Sequence, residues 1–344
     1  MLRTSILMAT GALWLAGSAW AEPLADMQAV LDELTALKAQ PVHQLDVPTA
    51  RTQASPADAA KAVQWKNRIP SAPEGQVATR DITIPTEAGE LPARLYIPEG
   101  EGPFPVIVYF HGGGWVIADL NTYDATPRGL TLGTGAITVS VDYRHAPEHK
   151  FPAAHEDAWA AYSWVVENAQ EFNGDSTRVA VAGESAGANL AANVSLMARE
   201  AQATMPVHQL LVYPVAGNDM TTPSYQEHAE AKPLGKADME WFVSHVVESP
   251  DQAADPRINL LGQESLADLP STTVILAEID PLRSEGEALA AAMKEAGVEV
   301  ESRVFAGVTH EFFGMGKVVK AAAEATDMAV NGLKKAFETK ETEQ

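Results

Sequence analysis

Cysteine is absent from the 344-residue sequence. That excludes disulfides, thiolate nucleophiles, Cys-type zinc sites and a lipoprotein cysteine behind a cleavage point. Positive charge is scarce: 24 Lys and Arg stand against 46 Asp and Glu, a formal net charge of −22. So acidic a surface repels nucleic acid and anionic membranes, and neither is expected as a partner. No stretch approaches the ~20 consecutive apolar residues of a membrane span, so no stable membrane anchor is expected. Internal repeats and low-complexity blocks are missing as well. There is no H-E-x-x-H and no histidine pair at metal-ligand spacing in a plausible pocket, so no metal is expected. What remains is an ordinary globular composition, 46% hydrophobic and 20% charged, in a chain long enough to bury its core without disulfides.

The N-terminus has the three parts of a secretory signal peptide. Arg3 supplies the positive region, Ile6 to Leu15 the short apolar region, and Ala19-Trp20-Ala21 the small-residue cleavage signal. Residues 1–21 are read as this leader. The mature chain, 22–344, is expected to be exported to a bacterial periplasm or beyond.

Residues 22–70 read helical. Leu24, Met27, Val30, Leu31, Leu34 and Leu37 recur at helical spacing, and Ser55-Pro56 opens a second helix through Trp65. Two strands follow, near 80–84 and 93–97. Strands near 106–110, 136–142, 179–182, 210–213, 273–277 and 298–305 then alternate with helices at 153–168, 186–199, 285–296 and 318–337. This order predicts an α/β fold with a mostly parallel eight-stranded sheet and helices on both faces. Functional loops should gather at the carboxyl ends of the strands. Residues 215–255 break the alternation and contain the amphipathic stretch KADMEWFVSHVV. Together with 22–70 they are read as a helical cap over one sheet edge.

The stretch VAGESAGANL sets Ser185 between two glycines, after a buried strand and before a helix. This is the G-x-S-x-G nucleophile elbow. The strand at 106–110 runs into His111-Gly112-Gly113-Gly114-Trp115, a glycine-rich backbone suited to turning amide N–H groups toward an oxyanion. A serine hydroxyl needs a base. Of nine histidines, His149, His155, His228 and His245 lie in a loop, a helix start or the insertion. His310 lies just past a strand and before the last helix, where the chain order Ser, acid, His places the base. Asp280, at the turn marked by Pro281, is the favoured acid; Glu278 and Glu285 are rivals.

HGGGW, VDYRHAPEHKFPAA, GESAGAN, SYQEHAEA, IDPLRSEG and VTHEFFGM resemble, in order, the blocks of the hormone-sensitive lipase family of α/β-hydrolases, the bacterial family IV esterases. The resemblance spans nearly all of the mature chain. It implies Ser185 as nucleophile, Asp280 as acid, His310 as base, and the N–H groups of Gly113, Gly114 and Ala186 as oxyanion donors. It also implies the α/β-hydrolase fold, a cap from the N-terminal helices and an insertion after the sixth strand, esters of short to medium acyl chains as substrates, and no metal or cofactor. Family members are often homodimers, which makes a second copy a candidate partner. Glu184 stands where many members carry Asp, Ala188 where many carry Gly, and Ser284 where many are acidic. Trp115, Glu184, Met239, Trp241 and Phe242 are the expected pocket residues. Amide, polyester or lipid hydrolysis on the same triad stays open. A non-catalytic receptor role is disfavoured because the histidine is present.

Overall fold

The computed structural model of the protein describes residues 21–70 and 77–342. The proposed leader, apart from its last alanine, lies outside the described residues.

Three helices come first: α1 (Ala25–Ala36), α2 (Val47–Thr52) and α3 (Pro56–Lys66). The start of α3 follows from its sequence. The Ser55 side chain accepts from the Asp58 N–H, the Asp58 carboxylate accepts from the Ser55 N–H, and Pro56 occupies a position that needs no N–H donor. The strands β1 (Val77–Thr86) and β2 (Gly89–Pro98) form an antiparallel hairpin. Both exceed the lengths expected from pattern, because ladder pairs such as Pro85–Glu90 continue through exposed residues.

The elements that follow are β3 (Phe104–Phe110), α4 (Ala125–Thr134), β4 (Ile137–Val141), α5 (Ala153–Asn168), β5 (Gly174–Glu184), α6 (Ala186–Glu200) and β6 (His208–Val212). After them come α7 (Pro223–Glu227), α8 (Lys236–Val246), β7 (Ser271–Ile279), α9 (Arg283–Glu295), β8 (Val300–Thr309) and α10 (Lys320–Thr342). The eight strands form one sheet in the order β1-β2-β4-β3-β5-β6-β7-β8. β2 runs antiparallel to both its neighbours, and β3 to β8 run parallel.

The central strands are buried on both faces, which is why they read as unbroken apolar runs. On β3, Val106, Val108 and Phe110 join the core layer that includes residues of α5, α6 and α9. Ile107 and Tyr109 point into the layer that includes residues of α1, α3 and α10. Burying each such side chain contributes about 1.5–3 kcal/mol.

α4 has no counterpart in the sequence reading. Its ten residues, ATPRGLTLGT, carry a proline, two glycines and three threonines, all weak helix formers. Tertiary packing makes up for this: a Cβ at Gly133 would lie 2.4 Å from a Val330 methyl, so α10 sits directly against α4 there. Gly135, at φ 70°, then ends the helix in the left-handed conformation that glycine tolerates.

The parallel strands all point the same way. The loops after β3, β5, β7 and β8 therefore open at one end of the sheet, and these are the loops that carry His111–Trp115, Ser185, Asp280 and His310.

Candidate active site

Ser185 occupies the corner between β5 and α6, with φ 55° and ψ −119°. A non-glycine residue there is strained, and its surroundings must hold it. Its N–H donates to the Val212 carbonyl at the end of β6, at 2.9 Å. The flanking glycines are required by contact: a Cβ on Gly183 would lie 2.1 Å from the Gly187 carbonyl oxygen, and one on Gly187 would lie 2.0 Å from that of Phe110. At these two positions the backbone packs too closely for any side chain.

His310 follows the last residue of β8 directly. Its Nδ1 lies 2.7 Å from Asp280 Oδ2, and its Nε2 lies 3.0 Å from Ser185 Oγ. The carboxylate fixes the tautomer: Nδ1–H donates to Asp280, which leaves Nε2 to accept the Ser185 hydroxyl. Asp280 is fully buried, and its second oxygen accepts the Leu282 N–H at 2.9 Å. The two rival acids are engaged elsewhere. Glu278 accepts the Gly307 N–H at 2.7 Å, and Glu285 accepts the Ala216 N–H at 2.8 Å. Burial pulls the His310 imidazole down, but the charge and hydrogen bond of Asp280 outweigh it, and His310 ends above its ordinary value.

The glycine loop after β3 is equally constrained. Gly113 and Gly114 have φ of 96° and 58°. A Cβ on Gly112 would lie 2.3 Å from the Tyr123 hydroxyl, and one on Gly114 would lie 2.2 Å from the Phe242 ring. Gly113, Gly114, Trp115, Ser185 and His310 share a cavity of about 450 Å³ with residues from both segments read as a cap. Ala186 is the first residue of α6, so its N–H has no acceptor within the helix.

A family model for the alpha/beta hydrolase fold matches residues 107–314, more than half of the chain. The chain belongs to the α/β-hydrolase family. Its motifs and relatives place this hydrolase in the hormone-sensitive lipase branch. It is 40% identical over 268 residues to the carboxylic ester hydrolase LipN of Mycobacterium tuberculosis, covering 76% of this chain and 71% of that one. It is 33% identical over 302 residues to an ethyl acetate hydrolase of Pseudomonas putida, covering 86% and 92%. Among solved structures it matches a hyperthermophilic esterase from Pyrobaculum calidifontis with a TM-score of 0.82 at 35% identity, covering 91% of this chain and 98% of that one.

Two of the expected pocket residues are placed elsewhere in this hydrolase. Trp115, Met239 and Phe242 line the cavity, but Glu184 and Trp241 do not. Glu184 points away, into the core beneath the elbow. It accepts hydrogen bonds from the hydroxyls of Tyr109, at 2.6 Å, and Tyr213. Its preceding position on β5 explains this, since successive strand residues face opposite sides. Burial pushes its carboxyl up to about 7, against the pull of those hydrogen bonds. Trp241 lies on the face of α8 that meets the N-terminal segment, where its indole N–H donates to the Leu45 carbonyl at 3.2 Å.

Two residues near the triad were not anticipated. The Tyr213 ring packs on His310 with centroids 4.3 Å apart, so Glu184 braces the base through Tyr213. Glu311 lines the cavity beside His310 and accepts from the Tyr123 hydroxyl at 2.7 Å. The available signal was adjacency: Tyr213 directly follows β6, and Glu311 directly follows His310.

Proposed function

We propose that this hydrolase is a serine carboxylesterase that cleaves short- to medium-chain acyl esters through a covalent acyl-enzyme. The observation that carries the reading is the continuous relay Ser185 Oγ–His310 Nε2 at 3.0 Å and His310 Nδ1–Asp280 Oδ2 at 2.7 Å, opening into the cavity. Ser185 Oγ attacks the ester carbonyl carbon while its proton passes to His310 Nε2. Asp280 stabilises the imidazolium. The oxyanion is held by the N–H groups of Gly113, Gly114 and Ala186. As the tetrahedral intermediate collapses, the imidazolium gives its proton to the departing alkoxide, and the alcohol leaves. Water then repeats the sequence on the acyl-enzyme and releases the acid and free Ser185.

The cap reading is supported by the residues that close the cavity. Pro41, Arg51 and Ser55 come from the N-terminal segment, and Leu234, Met239 and Phe242 from the insertion. The two segments are tied together where His43 Nδ1 lies 2.7 Å from Asp238 Oδ1. α1 has a second role, since Met27 and Val30 are buried in the core layer that also holds Phe305 and Val308. A cavity of this size, walled by Met239 and Phe242, bounds the acyl chain. Each methylene gains about 0.8 kcal/mol while apolar space lasts. Beyond that, displacing packed side chains costs about 1–3 kcal/mol. The test is kcat/KM on p-nitrophenyl esters from acetate to palmitate. It should rise, peak within about eight carbons and fall sharply. A value still climbing at sixteen carbons contradicts the bounded-pocket reading. Export and a homodimer remain part of the proposal, the first on the signal-peptide pattern and the second on the family resemblance.

A further inference from the structure

The sequence reading assigned no metal, yet the fold brings three ligand-type side chains to one point outside the cavity. β3 and β4 are parallel neighbours with Phe110 opposite Val141. His111 and Asp142, each one residue beyond its strand end, therefore emerge side by side. The chain then turns and returns His145 to the same point. One ligand atom from each of His111, Asp142 and His145 lies within 4.8 Å of the other two. None of the three residues lines the ester cavity.

The hydrogen-bonding pattern gives this convergence a charge. His111 Nδ1 lies 2.8 Å from the Gly112 carbonyl oxygen, which can only accept, so Nδ1 carries a proton. In the neutral ring Nε2 is then a bare lone pair, and it faces Asp142 Oδ1 at 3.7 Å. His111 Nε2, Asp142 Oδ1 and His145 Nε2 are all buried and have no hydrogen-bond partner among the described residues. The His111 Nε2 lone pair and the Asp142 carboxylate oxygen repel each other unless a proton or a cation lies between them, and His145 Nε2 is the third ligand-type atom brought to the same point. The rings are also held in place. His111 stacks on Tyr143 at 4.5 Å, and His145 meets the Tyr143 ring edge-on at 5.1 Å. The Tyr143 hydroxyl donates to the His111 carbonyl at 2.9 Å. A carbonyl on the far ring nitrogen is the usual outer partner of a metal-bound imidazole.

We propose that His111, Asp142 and His145 form a binding site for one divalent transition cation of the zinc class, which pins the root of the glycine loop to the loop after β4. Two imidazole nitrogens and one carboxylate oxygen suit zinc and its neighbours. Magnesium and calcium prefer all-oxygen shells. Ligands at about 2.0–2.2 Å on a tetrahedral ion sit about 3.4 Å apart, close to the 3.7 Å between His111 Nε2 and Asp142 Oδ1, with the third atom within 4.8 Å of both. Three protein ligands leave the fourth position to water. The Asp142 side chain is 31% exposed, which gives the ion a path in. The nearby Arg51 guanidinium is neutralised by Glu148 at 2.7 Å.

The test is titration of the chelator-stripped, full mature protein with Zn²⁺ by calorimetry and with Co²⁺ by visible absorption. One ion per chain should bind, with the intense ligand-field bands of tetrahedral Co²⁺, while millimolar Mg²⁺ or Ca²⁺ fails to compete. His145→Leu and Asp142→Asn should each weaken binding by about a hundredfold or more. A native far-UV circular dichroism spectrum shows that each variant is folded, and Zn²⁺ should raise the melting temperature of the parent but not of the variants. The proposal is overturned if the parent binds neither ion, which would leave a proton or a water at the point of convergence. It is also overturned if the variants bind as the parent does, which would place the ion at a surface histidine.

Discussion

His310 is subject to two opposed influences, burial and Asp280, and the second wins. The ring must be neutral at Nε2 to accept the Ser185 proton, so activity is lost as pH falls through its pKa. The acid limb of kcat/KM should therefore lie above the ordinary imidazole value of about 6.5. A profile flat down to pH 5 would contradict His310 as the base. Glu184 supplies a second titration. Its folded carboxyl keeps its proton up to about 7, against an ordinary value of 4.5. Between those values the folded state binds more protons than the unfolded one, so this group's contribution to stability declines as pH rises. Glu184→Gln removes the titration. Urea denaturation at several pH values should show the parent losing stability relative to the variant from pH 5 to 8. A constant difference would mean that Glu184 is ionised throughout.

At the scale of elements, the loop after β6 depends on α9. Glu285, in the first turn of α9, accepts the N–H groups of Ala216 at 2.8 Å and Gly217 at 3.3 Å. Burial pushes its carboxyl up to about 8, so it is neutral at pH 7. Glu285→Ala strands two amides and should cost about 1–3 kcal/mol of stability. Glu285→Gln keeps the accepting oxygen and should cost markedly less. Denaturant unfolding of both variants checks this, and equal losses would show that charge rather than hydrogen bonding matters. Which elements were legible in the sequence follows from what each depends on. The capping box at Ser55–Asp58 and the apolar run of β3 are local, and both could be read directly. α4 could not, because its residues are poor helix formers and it rests on packing against α10.

Across the whole molecule, four strand ends meet at one edge of the sheet, and that convergence was legible. A strand followed by HGGGW, a strand followed by G-x-S-x-G, and strands ending at Asp280 and His310 imply one site once the sheet is parallel. The direction of individual side chains was not legible. Glu184 turned out to face the Tyr109 and Tyr213 hydroxyls, and Trp241 to face Leu45, because those orientations are set by partners far away in the chain. The same holds for His111 and His145, whose meeting depends on the β3–β4 register. The central claim is that Ser185 forms the covalent bond to the acyl group, and trapping that bond tests it most directly. A fluorophosphonate should add one label per chain, mapped by mass spectrometry to the peptide containing Ser185, and Ser185→Ala should abolish both label and ester turnover while remaining folded. Labelling at another serine, or a Ser185→Ala variant that keeps most of its rate, would contradict the account.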